Sequence, residues 1–287
     1  MTDHKTILVT GATGTVGGHV VGRLSAAGHR VRALTREPSR AALPAGVDVV
    51  RGDLADVDSL DGVFDGVTAA HLITFDSAAF GPLTTAEEIV ALAEEAGVRR
   101  VTVLKGDLEP SPLEVAIEAS GLERVFLAPV EFMANTLEWA ESIKAGGVVR
   151  EGFPDVPSAL VHEADIAAVA VVGLTGADHG LDHWITGPEA LTPRERVRII
   201  ADVLGREVEL VELSRDEVVA GWRGSGFAEE EVEFFLRMRT DPPEAGYRVL
   251  PTVEEVTGVP ARTFASWVRE HAPAFWAASP EWTPGPT

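Results

Sequence analysis

Cysteine is absent from the 287 residues. That excludes disulfides, thiolate metal sites and a cysteine nucleophile. Tyrosine occurs once, as Tyr247, and lysine three times, as Lys5, Lys105 and Lys144. Proton relays built on a phenol and an ammonium therefore have few residues to draw on. No basic start leads into an apolar segment, and no run of about 18 apolar residues occurs, so the chain reads as soluble and cytoplasmic. Positive charge is also scarce: 24 Lys and Arg against 45 Asp and Glu give a net charge of -21. Such a field repels nucleic acid, which disfavours that class of partner. No His-Glu-x-x-His pattern or carboxylate cluster is present, so no metal is expected.

What is present is concentrated near the start. Ile7-Leu8-Val9 reads as a buried strand and Gly11-Ala12-Thr13-Gly14-Thr15-Val16-Gly17 as a glycine-rich turn that opens a helix. Glycines three apart close the turn tightly, let a pyrophosphate approach bare N–H groups and let the helix pack close to the sheet. The helix N-terminus adds partial positive charge. The cofactor-binding set is Gly11, Thr13, Gly14, Thr15 and Val16, extended by residues after later strands.

The first half alternates strand and helix. Strands are expected at 5–9, 30–34, 47–51, 69–73, 100–104 and 124–127, and helices at 15–27, 57–64, 84–96 and 112–120. That alternation implies an α/β fold with a doubly wound parallel sheet, whose ligands sit beyond the carboxyl ends of the strands. Residues 1–150 form the expected dinucleotide-binding core. Residues 151–287 form a smaller substrate lobe interleaved with it and end in a proline-rich, frayed segment, 279–287. Helices are expected there at 164–174, 192–204, 216–222, 229–238 and 263–271, with strands at 183–186 and 207–213; 132–144 also reads as helical.

Arg36 stands just past the second strand, about twenty residues beyond the glycine turn. Its planar donor fork suits a 2′-phosphate, which favours NADP(H). Glu37 keeps ribose binding, and so NAD(H), open, and an Arg36–Glu37 surface pair is the plain alternative. Asp53, after the third strand, either bonds an adenine amino group with Leu54 beside the ring, or caps the next turn. Thr74 and Phe75 end the fourth strand and are placed along the cofactor. Lys105 ends the fifth strand.

These elements resemble the NmrA-like, atypical short-chain dehydrogenase/reductases. The resemblance rests on Gly11–Gly17, Arg36, Gly52-Asp53-Leu54, Glu118-Ala119-Ser120-Gly121-Leu122, Phe132-Met133-Ala134-Asn135, Asp165-Ile166-Ala167 and Ile185-Thr186-Gly187-Pro188. It implies a Rossmann-type fold with a small C-terminal substrate lobe, NADP(H) binding, and reduction of quinones, azo dyes, imines or carbonyls. It also allows regulators that bind the dinucleotide without turnover.

The chain departs from the usual catalytic pattern. The Tyr-x-x-x-Lys element is missing: Pro251 stands four residues after Tyr247. Lys105 takes the usual serine position, and Ala128-Pro129 replaces Arg-Pro. The candidate catalytic residues are Lys105, Asp107 and His162. Lys105 would donate to the nicotinamide ribose or to a substrate carbonyl, and partial burial would tune it; a plain pair with Asp107 or Glu109 is its alternative. His162 precedes a helix in the lobe expected to face the substrate. His71, inside a strand, reads as core. Phe80, Phe132, Met133, Trp139 and Trp222 are candidates to line a pocket for an apolar or aromatic small molecule, with core packing as the alternative for each. A monomer or homodimer fits. Hydride transfer to a carbonyl, imine or quinone-like acceptor is the leading function. A redox-neutral cyclase or isomerase and a non-catalytic dinucleotide sensor remain open.

Overall fold

The structure is a computed structural model that describes residues 6–76, 81–176 and 179–276. In chain order the elements are β1 (Thr6–Val9), α1 (Gly17–Ala26), β2 (Arg30–Thr35), β3 (Asp48–Arg51), β4 (Val67–Ile73), β5 (Phe75–Asp76), β6 (Gly81–Pro82), α2 (Ala86–Glu95), β7 (Arg100–Leu104), α3 (Pro112–Glu118) and β8 (Glu123–Pro129). There follow α4 (Ala140–Gly146), β9 (Val148–Gly152), α5 (Glu163–Thr175), β10 (Leu181–Ile185), α6 (Pro193–Leu204), β11 (Glu209–Leu213), α7 (Arg215–Gly224), α8 (Glu229–Thr240), α9 (Thr252–Thr257) and α10 (Phe264–Phe275).

Two compact units result. The first takes Met1–Pro129, Glu163–Ile185 and Thr252–Pro260; the second takes Val130–His162, Thr186–Pro251 and Ala261–Thr287. The chain therefore does not divide at residue 150: α5, β10 and α9 return to the first unit. The Lys5 start of the first strand, Phe80 and the segment 279–287 lie outside the described residues.

In the first unit seven parallel strands run in the order β10-β8-β7-β4-β1-β2-β3. The order reverses between β1 and β4, the switch point at which such sheets bind ligands. The seventh strand is a correction. Residues 181–185 were expected to belong to the lobe, but they pair with Val125–Pro129 at the sheet edge. Side chains alternate across each strand. One face carries Leu8, Leu72, Val101, Val103 and Phe126 against Ile89, Ala93, Leu113 and Ile117 of α2 and α3. On the other face α5 crosses so close that a Cβ on Gly173 would lie 2.9 Å from Thr102 Cγ2.

The second unit builds its core from Met133, Trp139, Ile143, Val149, Leu160, Ile200, Phe264, Trp267 and Phe275. Trp267 stacks on Phe264 and, at 4.2 Å between ring centroids, on His271. Strands β9 and β11 form a separate parallel pair. The helix expected over 132–144 is instead a 3-10 segment, Met133–Trp139, followed by α4. Its buried residues are Met133, Thr136 and Trp139. That spacing of three matches a 3-10 repeat rather than an α-helical one. Likewise 57–64 holds only a 3-10 turn, Val57–Leu60.

Candidate functional site

The site is built on the carboxyl ends of β1, β2, β3, β4 and β7. Thr10, fully buried, locks the switch point. Its N–H and hydroxyl donate to His71 O at 2.9 and 3.0 Å, and its Oγ1 accepts from Ile73 N–H at 3.1 Å. This residue was not singled out from the sequence, although a hydroxyl directly after a buried strand was the available signal. His71 beside it is fully buried, with Nδ1 2.8 Å from Thr102 Oγ1. Burial pushes its imidazole down to about 4, so it is neutral near pH 7. It is a core residue.

The glycine turn needs its glycines for distinct reasons. Gly11 sits at φ +58°, in the left-handed region. A Cβ on Gly17 would lie 2.1 Å from Gly11 O, so nothing larger fits where the helix starts. Gly14 N–H donates to Gly11 O at 2.8 Å and closes the turn. Thr13, Gly14 and Thr15 are exposed, whereas Val16 is buried. No side chain caps α1, in contrast to α3, α6 and α7, which carry full capping boxes. Gly18 N–H is taken by Gly14 O at 3.0 Å, so an external acceptor meets only those N–H groups of the turn and of the start of α1 that no internal bond uses. A dinucleotide pyrophosphate fits this cradle of bare backbone.

One strand over, Arg36 is exposed past the end of β2. Glu37 does not pair with it: Glu37 Oε2 accepts from Arg40 at 2.9 Å. Among the described residues no hydrogen bond or ion pair engages the Arg36 guanidinium. After β3, Gly52 lets the chain turn under Leu34, where a Cβ would meet Cδ1 at 2.7 Å. Asp53 Oδ1 accepts from Ala55 N–H at 3.0 Å, so this carboxylate caps its own turn. Leu54 lies in the core with Leu34 and Leu60. Thr74 is buried and donates to Leu104 O at 3.3 Å. Phe75 is 38% exposed, with Gly106 close to it and to Thr74.

Lys105 pairs with neither Asp107 nor Glu109. Its ammonium meets Glu114 Oε1 on α3, a residue missed from the sequence. The Ser111-Pro112-Leu113-Glu114 capping box was the legible signal that this carboxylate folds back toward the start of α3. Asp107 is exposed and accepts from Leu108 N–H at 2.6 Å.

The other sequence candidates lie in the second unit. His162 is buried, with Nε2 3.2 Å from Glu270 Oε2. Met133 and Trp139 are core residues, and Trp139 spends its indole N–H on Glu151 at 3.2 Å. Packing therefore explains both. Phe132 is half-buried before the 3-10 segment. Trp222 packs on Phe235 at 5.7 Å between ring centroids. In the Thr186-Gly187 motif a Cβ on Gly187 would lie 2.0 Å from Leu160 O, and Thr186 Oγ1 accepts from Leu250 N–H at 2.9 Å. Among the described residues no group of three His, Asp or Glu is arranged to hold a metal ion, and no helix is long and apolar enough to cross a membrane.

A model of the NmrA-like family matches residues 3–103. The (4-alkanoyl-5-oxo-2,5-dihydrofuran-3-yl)methyl phosphate reductase of Streptomyces griseus is 40% identical, over 94% of this chain and 99% of that protein. The chain belongs to the NmrA-like family. The NAD(P)H azoreductase of Xenophilus azovorans is 31% identical over 95% of this NmrA-like chain and all of its own. Among solved structures, the NADPH-dependent quinone oxidoreductase of Escherichia coli in complex with NADPH shares the fold, with a TM-score of 0.78 at 24% identity. That match covers 93% of the NmrA-like chain and 99% of the other.

Proposed function

We propose that this protein is an NADPH-dependent reductase of a conjugated small molecule: a carbonyl, an imine or a quinone-like acceptor. The observation that carries the reading is the glycine cradle of α1, which no side chain caps, with Arg36, unpaired among the described residues, one strand away. The cradle suits a pyrophosphate and the guanidinium a 2′-phosphate. Bound NADPH supplies the hydride. The chain's own residues hold and orient. The Gly11 to Thr15 turn, closed by Gly14 N–H on Gly11 O, holds the pyrophosphate through its remaining backbone N–H groups, and Arg36 selects the 2′-phosphate. Phe75 offers an exposed ring at the ends of β4 and β7. Lys105, two strands from the cradle, donates a hydrogen bond to the substrate heteroatom that gains negative charge.

The names of the relatives support the acceptor class. An acylated dihydrofuranone, an azo compound and a quinone are all conjugated. Each spreads an incoming electron pair onto oxygen or nitrogen, which reduces the need for a dedicated proton donor at the moment of transfer. That suits a chain without the Tyr-x-x-x-Lys pair. The cytoplasm, where NADPH is generated, is the compartment this reaction needs.

Titration with NADPH and NADH tests the cofactor assignment. Arg36→Ala is expected to weaken NADPH binding by about ten- to a hundredfold, the range of one charge-assisted contact, and to leave NADH binding nearly unchanged. Equal loss for both cofactors would remove the 2′-phosphate role. Steady NADPH oxidation with a naphthoquinone tests the reaction itself.

A further inference from the structure

Lys105 follows the last residue of β7 and is fixed by its backbone N–H on Leu127 O at 2.9 Å. Its side chain is 15% exposed and that of its partner Glu114 only 3%. The second oxygen of that carboxylate is occupied too. Glu114 Oε2 accepts from the Ser111 hydroxyl at 2.8 Å and from Ser111 N–H at 3.0 Å. One carboxylate thus ties the residue that enters the exposed stretch 106–110 to the residue that leaves it.

Capping alone does not call for this burial. Glu217 makes the same capping box on α7 while exposed. A buried ion pair is also a weak device for stability, since desolvation offsets the attraction. What it provides is direction. A solvated lysine samples many rotamers. An ammonium held in an ion pair with Glu114 has little freedom to wander and keeps its N–H donors for another acceptor.

We propose that Glu114 is a positioning residue for Lys105. Its buried carboxylate holds the Lys105 ammonium at the carboxyl end of β7, aimed as a hydrogen-bond donor to the substrate heteroatom. The donor role of Lys105 rests on the function proposed above; the role of Glu114 is read from the ion pair itself.

With only three lysines in the chain, acetylation by N-hydroxysuccinimidyl acetate, mapped by mass spectrometry, reads each site. Lys144, 32% exposed and paired with Glu141, is the internal reference. In Glu114→Gln, Lys105 acetylation is expected to rise at least about tenfold relative to Lys144, as the ammonium is released to solvent. In Ser111→Ala, which removes the cap and keeps the ion pair, it stays near the parent value. With NADPH and a naphthoquinone, kcat of Glu114→Gln is expected to fall about tenfold with KM for NADPH unchanged. On a Lys105→Met background the same substitution has no further effect. Unchanged Lys105 labelling in folded Glu114→Gln overturns the proposal. So does an equal loss of kcat in both backgrounds, which marks a merely structural role. If Glu114→Gln does not fold, Glu114→Asp, one methylene shorter, carries the same labelling comparison. A parent protein that does not oxidise NADPH with the quinone counts against the proposed function, and the labelling then decides the role of Glu114 by itself.

Discussion

His71 makes the fold sensitive to mild acid in a way that can be calculated. It sits at the centre of the sheet, fully buried, and burial lowers its imidazole from 6.5 to about 4. Above pH 6.5 the folded and unfolded chains both carry a neutral ring, and His71 adds no pH dependence. Between pH 6.5 and about 4 the unfolded chain takes up a proton that the folded chain refuses, so stability falls. Below about 4 both are protonated and the effect saturates. The full drop corresponds to about 3 kcal/mol, with a maximum slope of about 1.4 kcal/mol per pH unit. The perturbation is His71→Leu, which removes the titration at similar volume. It also removes the 2.8 Å contact to Thr102 Oγ1, a loss independent of pH. Urea unfolding of parent and variant, from about pH 7.5 to about pH 4, gives the difference in stability at each pH. Carboxylates titrate in both proteins and cancel. The parent is expected to lose about 3 kcal/mol relative to the variant across that range. A difference that stays flat would refute the reasoning, since it would mean that the ring takes up its proton as easily folded as unfolded.

Two further outcomes concern the local geometry. Gly17→Ala places a Cβ 2.1 Å from Gly11 O; because that atom is backbone, the turn must open. A loss of about 2–4 kcal/mol in urea unfolding is expected, together with loss of NADPH binding by titration. Thr192→Ala removes the hydroxyl that accepts from Glu195 N–H at 3.2 Å at the start of α6. It is expected to cost about 1 kcal/mol by the same unfolding assay and to leave NADPH binding unchanged.

Much of the first unit was legible because its signals are local. Apolar runs of four or five residues, glycines three apart and a helix between them specify a strand, a turn and a crossover within about thirty residues. Arg36 was legible for the same reason: its place past β2 follows from counting along that unit. The 3-10 segment was not, because Phe132, Thr136 and Trp139 fit a helical face by spacing, whereas the residues actually buried are Met133, Thr136 and Trp139, three apart. Strand β9 was missed because its pairing with β11 joins residues some sixty positions apart. No periodicity in Val148–Gly152 announces such a partner.

The amino-acid order by itself determined the parallel α/β architecture, the glycine cradle and the cationic residue beside it, since each depends on neighbours in sequence. Tertiary structure decided the partners. It turned Glu37 toward Arg40 and away from Arg36, sent Leu181–Ile185 to the edge of the main sheet, and spent Met133 and Trp139 on a core. It also chose, among 45 acidic residues, Glu114 as the one that holds Lys105. Which charge meets which is set by burial and by the distance between folded elements, and neither is written in spacing along the chain.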